Sequence, residues 1–376
     1  MKRALPPLLA MAVILVGLSV GSLLLPDSAF SANENRYLKQ APRLTWDALM
    51  HGSYTADVET YTADQIVLRD VWMGAKSTLQ QLTGKQDVGG VWLGEDGYYF
   101  AKMTEDDFNR PRYEKNLAAV KAFFDGNADK DCRILLAPTP CVVLYDKLPL
   151  GLSLDNGTVF DADQCYDTLL DLLGPQAIVT RWELREVGGG TQQVYYRTDH
   201  HWTTAGARVA YRVWAEATGH TARDYALTPV TDEFRGTLYS KVLLPGSAWD
   251  TVEVARDVEI VSMDCDGQVM HSLYVDSKLE QKDKYEVFMG GNYAKVTVDT
   301  GAETGRSLLL IKDSFANCFL PFLCADYDTI TVVDLRYCRE NMKDLASDCT
   351  DILVLYELTN FASDGNLYKL QLDVQS

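Results

Sequence analysis

The alternation of short apolar segments with helical segments constrains the fold of this chain more than any other feature. Apolar runs typical of buried strands recur between segments with helical periodicity. The predicted strands are residues 133–137, 177–182, 307–311, 329–334 and 351–356, and the predicted helices are residues 116–124, 164–173, 207–216, 315–324 and 340–346. Strands separated by helices form mostly parallel sheets with both faces covered. The sequence therefore predicts an α/β fold with a mostly parallel sheet sandwiched by helices.

Residues 221–300 interrupt this alternation. Polar-alternating residues 258–263 and 268–275 flank the turn Asp264-Cys265-Asp266-Gly267, a pattern typical of an antiparallel hairpin. Further strands are predicted near residues 285–289 and 294–298. We therefore expect an antiparallel β insertion in this part of the chain.

The N-terminus has the pattern of a targeting segment. Lys2 and Arg3 precede a nearly uncharged apolar run over residues 8–25. About 18 apolar residues are just enough to cross a bilayer, and the basic residues keep the N-terminus cytoplasmic. Ala29 and Ser31 are small enough to precede a cleavage point, so a cleaved signal peptide stays open beside a retained membrane anchor. Either way the remaining chain is predicted to be extracytoplasmic, anchored by residues 8–25 or secreted.

Charge and cysteine usage exclude some classes of function. The formal net charge of −18 repels phosphate backbones, so no nucleic-acid partner is expected. The eight cysteines are scattered, with no C-x-x-C pair and no zinc-finger spacing. An exported chain could form a disulfide or two, but a core of this size needs no such cross-link. We therefore expect the cysteines to be buried free thiols.

The tetrapeptide Asp199-His200-His201-Trp202 holds two of the five histidines in the chain. In an extended chain alternate side chains share a face, which would place Asp199 beside His201 and His200 on the other side. A carboxylate beside an imidazole is two-thirds of a nucleophilic triad. The same residues could ligate a cation, but the further aspartate motifs of a metal-pair enzyme are missing from the sequence. We therefore predict no metal and no cofactor, and we expect Trp202 to be a packing anchor.

Ser314 is the candidate nucleophile. The buried strand at residues 308–311 ends in Lys312-Asp313-Ser314 before a predicted helix. Catalytic residues in α/β sheets gather at the carboxyl ends of strands, where free backbone N–H groups can stabilise an oxyanion. A serine at such a turn can also simply cap the helix. The G-x-S-x-G elbow of α/β-hydrolases is absent, so that fold is not indicated.

Several segments together resemble the DHHW family of exported bacterial proteins. They are Glu34-Asn35-Arg36, the Asp199–Trp202 tetrapeptide within Arg197–Ala207, Phe234–Lys241, Gly290-Gly291-Asn292-Tyr293, Lys312-Asp313-Ser314 and Asp334-Leu335-Arg336-Tyr337. That family is similar to the SGNH-hydrolase-like proteins that O-acetylate alginate. The resemblance implies an SGNH-hydrolase-like fold in which Asp199 orients His201, His201 is the general base and Ser314 is the nucleophile. Lys312 stands where SGNH sequences usually have glycine, so the oxyanion-hole geometry is not carried over.

The resemblance also implies a function. We expect acetyl transfer to a cell-surface or secreted polysaccharide through an acetyl-enzyme, with a membrane-bound O-acyltransferase as the acetyl supplier. The alternatives are a carbohydrate acetylesterase with the same triad and a non-catalytic glycan-binding or scaffold partner of that acyltransferase. Arg336, Tyr337 and Asn292 are the predicted substrate-binding residues. The Ser314 N–H is one expected oxyanion donor, and Asn292, Arg336 or a neighbouring amide remain open as the second.

The predicted organisation of the chain has five parts. They are a signal peptide or membrane anchor at residues 1–31, an N-terminal helical region with a hairpin at residues 32–105, the first part of an SGNH-like domain at residues 106–220, the β-rich insertion at residues 221–300, and the second part of the SGNH-like domain at residues 301–376.

Overall fold

The computed structural model describes residues 5–31, 33–34 and 36–372 of the protein. Lys2, Arg3 and Asn35, which the sequence motifs include, lie outside the described residues. The chain divides into two compact units. One comprises Met1–Gly89 with Tyr239–Ser247, and the other comprises Gly90–Leu238 with Ala248–Ser376.

The first unit is mainly helical. Its helices are Leu5–Leu24, Trp46–Met50, Ser53–Gln65 and Arg69–Leu82, and its short strands are Phe30–Ser31, Arg36–Tyr37 and Asp87–Val88. In the part of the chain that the structure describes, no helix has the length and hydropathy of a membrane span.

The Glu34-Asn35-Arg36 motif contributes ion pairs to this unit. The two terminal nitrogens of the Arg36 guanidinium lie 3.0 and 2.5 Å from the carboxylate oxygens of the buried Asp64. Glu34 lies 2.6 Å from Arg69 at the start of the last helix of the unit. The motif therefore ties the chain after the N-terminal helix to two helices further along.

The second unit contains an eight-stranded sheet, whose strands we number β1 to β8 in chain order. They are β1 (Asp131–Ala137), β2 (Ala177–Ile178), β3 (Ser262–Cys265), β4 (Gln268–Met270), β5 (Lys295–Asp299), β6 (Ser307–Lys312), β7 (Thr329–Val333) and β8 (Asp351–Glu357). The order across the sheet is β4-β3-β5-β7-β6-β8-β1-β2. The five strands from β7 to β2 pair in parallel, whereas β4, β3 and β5 pair antiparallel and β5 joins β7 antiparallel. The predicted mixed α/β fold with a mostly parallel sheet is confirmed.

Helices and 3-10 turns connect these strands and cover the sheet. The helices are Arg110–Asp125, Pro140–Val143, Asp163–Leu173, Arg181–Gly188, Thr204–Thr218, Leu320–Leu323, Met342–Ser347 and Leu358–Ser363, and Thr237–Val242 spans the boundary between the units. The 3-10 turns are Glu95–Gly97, Glu105–Asp107, Tyr145–Lys147, Gly174–Gln176, Asp276–Glu280, Lys284–Val287, Ser314–Asn317 and Leu367–Gln371. Two antiparallel strand pairs complete the unit, Val91–Leu93 with Tyr99–Ala101 and Leu227–Phe234 with Asp250–Ala255.

The central strand β6 shows why the sheet must be covered on both faces. Leu308 and Leu310 belong to one apolar core, and Leu309 and Ile311 belong to another. Successive side chains of a strand point to opposite faces, so an uninterrupted apolar run supplies both cores at once. All eight cysteines of the chain are buried free thiols, as expected from the sequence.

The antiparallel strands within residues 221–300 extend the main sheet. Strand β5 pairs with β7 over five residues, and β3 and β4 continue outward from it. The strand predicted at residues 285–289 is wrong. Lys284–Val287 is a 3-10 turn, and Met289, Gly290 and Gly291 have φ angles of 61°, 84° and 131°. Left-handed backbone cannot continue a strand.

Two other predicted elements are shorter or different. The strand predicted at residues 177–182 ends at Ile178, because Arg181–Gly188 forms a helix that buries Leu184. The helix predicted at residues 315–324 is a 3-10 turn followed by Leu320–Leu323. Pro321 has no backbone N–H with which to continue a helix from the preceding turn.

Candidate active site

The Asp199–Trp202 segment is a bend and not an extended strand. Tyr195 and Trp202 form an antiparallel bridge, so the residues between them loop out. The alternation of side chains along an extended chain therefore does not apply here. The prediction that His200 points away from Asp199 and His201 is wrong. The His200 ring lies 3.8 Å from the His201 ring, and His200 Nδ1 is 2.8 Å from Thr237 Oγ1.

Asp199 is buried and its carboxylate is fully engaged. One oxygen lies 2.6 Å from His201 Nδ1 and accepts the His201 backbone N–H at 3.0 Å. The other accepts the backbone N–H and the hydroxyl of Thr237 at 2.7 and 3.0 Å. Gly236 makes this possible, because a Cβ atom there would lie 2.1 Å from the Asp199 carboxylate. Gly236 and Thr237, within the Phe234–Lys241 motif, thus hold the carboxylate in place.

Ser314 lies at the carboxyl end of the central strand β6. Its Oγ is 2.8 Å from His201 Nε2, so Ser314, His201 and Asp199 form a continuous series of hydrogen bonds. Ser314 is half-buried while the residues on either side are buried. No group in the described part of the chain accepts the Ser314 backbone N–H.

Asp313 fixes the turn that carries Ser314. Its carboxylate accepts the backbone N–H groups of Phe315 and Glu357, both at 2.9 Å, and Asn360 Nδ2 at 2.8 Å. Glu357 and Asn360 follow the neighbouring strand β8. The turn is therefore tied to the next strand of the sheet, and burial raises the pKa of Asp313 despite these donors.

Two aromatic side chains hold the histidine segment against the serine turn. Trp202 is fully buried and donates from Nε1 to the Phe315 carbonyl at 2.9 Å, which agrees with its expected packing role. The Tyr285 ring stacks on the His201 ring at 3.9 Å and 10°, and its hydroxyl donates to the Ser314 carbonyl at 3.1 Å. Tyr285 is a site residue that sequence patterns do not reveal, because its segment has the pattern of a strand.

Charge at the site is set by burial and by the paired imidazoles. Burial opposes the ionisation of Asp199, but His200 and His201 hold its pKa well below the usual value. Burial, followed by the neighbouring His200, lowers the pKa of His201 to about 4. Burial also disfavours charge on His200, yet Asp199 outweighs it and raises the pKa of His200. His201 is therefore neutral at physiological pH, as a general base must be.

A further carboxyl group lies at the edge of this cluster. Burial raises the pKa of Asp283 to about 6, and the charge of Asp199 acts in the same direction. No sequence motif marks Asp283 as a site residue. The segment that follows it, around Tyr285, has the pattern of a strand, and that pattern hides the loop to which Asp283 belongs.

Asp199, His200 and His201 are also the residues that could hold a metal ion. Their possible ligand atoms lie within 4.8 Å of one another, and the described residues contain no other such group. Both ring nitrogens of His201 are engaged, one by Asp199 and one by Ser314. A metal ion bound through His201 would have to displace one of these hydrogen bonds.

The three predicted substrate-binding residues are placed near the same edge of the sheet. Arg336 and Tyr337 follow β7, the neighbour of β6. Arg336 forms two bonds of 2.9 and 2.6 Å with the buried Asp334 carboxylate, while the Tyr337 side chain is exposed. Asn292 is exposed and its Oδ1 accepts from Lys312 Nζ at 2.9 Å. No hydrogen bond within the described residues joins any of the three directly to Ser314, His201 or Asp199.

A serine hydroxyl, an imidazole and a carboxylate joined in this order at the carboxyl end of a parallel sheet define an α/β protein with a triad-type site. The DHHW protein family matches residues 185–333, which confirms the resemblance inferred from the motifs.

Known proteins share parts of this sequence and fold. The chain is 25% identical over 181 residues to the probable alginate O-acetylase AlgJ of Pseudomonas fluorescens, a match that covers 45% of this chain and 43% of that relative. The solved structure of a DHHW family protein from Eubacterium siraeum has a TM-score of 0.62 at 20% identity and covers 75% of this chain and 95% of that one. Bacillus cereus PatB1, solved with a sulfonyl adduct, has a TM-score of 0.59 at 19% identity over 74% of this chain and 96% of its own. These likenesses establish a shared fold.

The pairing of the two imidazoles can be tested by titration. We expect NMR of the ring nitrogens to show a neutral His201 down to a pH of about 4. Replacing His200 with Gln should raise the pKa of His201, because the neighbouring positive charge that disfavours a second proton is removed. His271→Gln, at an exposed histidine, is the control and should leave His201 unchanged. Identical His201 titrations in the wild type and His200→Gln would contradict this account.

Proposed function

We propose that the protein is an extracytoplasmic enzyme that transfers acetyl groups to a cell-surface or secreted polysaccharide through Ser314, His201 and Asp199. The observation that carries the proposal is the series of hydrogen bonds of 2.8 and 2.6 Å from Ser314 Oγ through His201 to Asp199. A serine that only capped a helix would not need an imidazole with a buried carboxylate behind it. The arrangement is that of an activated nucleophile.

The first half of the proposed reaction forms an acetyl-enzyme. His201 Nε2 takes the Ser314 proton while Oγ attacks the carbonyl carbon of an acetyl ester. The resulting tetrahedral intermediate collapses when the donor's oxygen leaves with the proton from His201. In the second half, His201 takes a proton from an acceptor hydroxyl, which attacks the acetyl-enzyme, and the proton returns to Ser314 Oγ. Each half-reaction begins and ends with a neutral His201.

The surroundings of the triad support this mechanism. Asp199 accepts His201 Nδ1, so it fixes the tautomer that leaves Nε2 free to accept the serine proton. Its negative charge then stabilises the imidazolium that forms. Tyr285, stacked on the ring, restricts its orientation. The unpaired Ser314 N–H is one proposed oxyanion donor.

The polysaccharide acceptor is proposed from the relatives and from the family resemblance. The AlgJ relative is named as a probable alginate O-acetylase, which supports acetyl transfer to a polysaccharide. Arg336 and the exposed Tyr337, at the edge next to Ser314, are the proposed contacts to the sugar. A membrane-bound O-acyltransferase is the proposed source of acetyl groups. An acetylesterase would use the same acetyl-enzyme, with water in place of the sugar hydroxyl.

Loss of the nucleophile or the base should abolish turnover. With p-nitrophenyl acetate as donor, Ser314→Ala and His201→Ala should each lower kcat/KM by about 10⁴-fold or more, since the triad acts as a unit. The wild type should accumulate one acetyl group on the peptide that contains Ser314, detected by mass spectrometry. Ser363→Ala, at an exposed helix end, is the matched control and should retain full activity. Equal turnover in all four proteins, or none in the wild type, would exclude the triad and favour a non-catalytic scaffold.

Transfer and hydrolysis differ in the fate of the acetyl group. When an oligosaccharide is added to the acetylated wild type, we expect the sugar to gain the mass of an acetyl group and the acetyl-enzyme to decay faster. Ser314→Ala should produce no acetylated sugar from the same donor. Release of free acetate alone, at a rate independent of the oligosaccharide, would favour the esterase.

The N-terminal segment is proposed to retain the protein at the outer face of the cell membrane. Its apolar run over residues 8–25 is the basis of this proposal. In a membrane fraction extracted with detergent, mass analysis should find a chain that retains residues 8–25. An engineered variant that lacks residues 1–31 should be released without detergent. A mature N-terminus near residue 32 in the medium would show instead that the segment is a cleaved signal peptide.

A further inference from the structure

The helix Arg69–Leu82 of the first unit carries an exposed apolar face. Its members are exposed and follow the three- and four-residue spacing that places side chains on one side of a helix. They are Val71, Trp72, Ala75, Leu79 and Leu82. The four large side chains among them are between 44% and 79% exposed. Apolar surface concentrated in this way marks a contact with a partner or a membrane.

The other side of this helix packs against the rest of its unit. Gly74 and Ser77 are buried there. A Cβ atom on Gly74 would lie 2.7 Å from the Leu243 carbonyl oxygen, and Ser77 Oγ donates to the Val242 carbonyl. Both carbonyls belong to Tyr239–Ser247, which is part of the same unit. The helix is therefore held in the unit by its small residues, and the apolar face is directed away from this contact.

The charges beside the apolar face are positive. The exposed side chains within residues 68–86 include Lys76 and Lys85 and no acidic residue. Asp70 is the one carboxylate of the helix, and it lies on the packed side, where Asn33 donates to it. The whole chain has a formal net charge of −18, so this surface differs in sign from the protein average. A basic amphipathic helix is suited to an anionic lipid surface.

The apolar face begins where the N-terminal apolar helix ends. The Val67 backbone N–H donates at 3.0 Å to Oγ of Ser22, in the last turn of Leu5–Leu24. A cavity of about 550 Å³ lies at this junction, and both Leu25 and Val71 line it. The face thus continues the apolar surface of the N-terminal segment. A bilayer that surrounds the end of that segment would also reach the face.

We propose that the helix Arg69–Leu82 lies in the interface of a phospholipid bilayer, with its apolar face among the acyl chains and Lys76 and Lys85 at anionic head groups. A helix of 14 residues is about 21 Å long, less than the hydrocarbon thickness of about 30 Å, so this helix lies along the membrane and does not cross it. Trp72 suits the position, because tryptophan is enriched where hydrocarbon meets head groups. The inference rests on the proposed anchoring by residues 8–25 and adds a second contact with the same membrane.

The two membrane contacts differ in strength. An amphipathic helix binds a bilayer reversibly, whereas an inserted apolar helix holds a protein there almost permanently. The variant that lacks residues 1–31 should therefore still be released without detergent. The helix Arg69–Leu82 instead determines which side of its unit faces the lipid. A second copy of the chain is the alternative occupant of the apolar face.

Site-specific labelling of the full chain tests the lipid contact. All eight native cysteines are buried, so a cysteine introduced at the surface is the one that a thiol-reactive dye reaches. Leu79→Cys places an environment-sensitive dye on the apolar face, and Gln81→Cys places it on the other side of the same helix, where it is also exposed. The chain is reconstituted in vesicles of equal parts phosphatidylcholine and phosphatidylglycerol. Lipids with a nitroxide on the acyl chain should remove most of the fluorescence at position 79 and little of that at position 81.

The two lysines predict a dependence on lipid charge. Quenching at position 79 should be weaker in vesicles of phosphatidylcholine alone, because Lys76 and Lys85 then find no excess of anionic head groups. Lys76→Gln combined with Lys85→Gln should remove this difference between the two vesicles. Lys295→Gln, at a surface lysine of the second unit that pairs with Glu340, is the control and should retain it. Equal quenching in both vesicles with all lysines present would overturn the role given to Lys76 and Lys85.

Flotation with the vesicles separates this inference from the proposed anchoring. If the chain floats but the dye at position 79 keeps its emission in water and is not quenched, the inference is overturned while the anchor stands. An apolar shift of the emission without quenching, together with disulfide-linked dimers of Leu79→Cys, would show a second copy on the face and would also overturn it. If the chain does not float, the anchoring and this inference fail together.

The fold of the labelled protein is checked independently of its activity. Leu79→Cys should keep the Tm of the wild type, because the replaced side chain is 64% exposed. Val71→Cys, on the same face and 61% exposed, repeats the measurement at a second position and should be quenched in the same way. A dye at position 71 that is quenched no more than the dye at position 81 would contradict the proposed contact.

Discussion

The contacts between the His201 segment and the Ser314 turn are the interaction on which the site depends. Two hydrogen bonds, from Ser314 Oγ to His201 Nε2 and from Trp202 Nε1 to the Phe315 carbonyl, join residues 113 positions apart. The sheet provides the fixed point, because β6 is central and parallel to both neighbours, so its carboxyl end cannot move without the sheet. Trp202, which is buried in the core, holds the His201 segment against the carboxyl end of β6. A buried indole is well suited to this task, since it supplies a large apolar surface and one N–H donor.

Buried carboxylates set the orientation on each side of this junction. Asp199 accepts backbone or side-chain donors from His201 and Thr237, and Asp313 accepts from Phe315, Glu357 and Asn360. A buried charge without partners would be strongly destabilising, whereas one satisfied by several N–H groups holds the surrounding loops in a single arrangement. The pKa values of the two carboxyl groups shift in opposite directions. The paired imidazoles lower the pKa of Asp199, while burial raises the pKa of Asp313 despite its hydrogen-bond donors.

Sequence patterns predicted the sheet and its helices better than the conformation of individual segments around the site. The alternation of buried strands and helices was sufficient for the parallel part of the sheet and for Ser314 at its carboxyl edge, because these depend on local periodicity. The facing of His200 was mispredicted, since a bend enforced by the Tyr195–Trp202 bridge replaced the extended chain. Tyr285 gave no local signal at all. Its role comes from tertiary stacking on His201, and the positive φ angles after it contradicted the apparent strand pattern.

Lys312 shows how a departure from a familiar pattern becomes interpretable once its neighbours are known. In the sequence it only stood in place of a glycine, and that difference weakened any transfer of oxyanion geometry. In the structure the lysine reaches across to Asn292, on a loop that also contacts the serine turn through Tyr285. A glycine at this position could not hold an amide on a separate loop, and an arginine would bring a larger, planar donor group to the same place. The chemistry of an ammonium, which donates in several directions and never accepts, is what turns the side-chain oxygens of Asn292 and Asn317 toward Lys312.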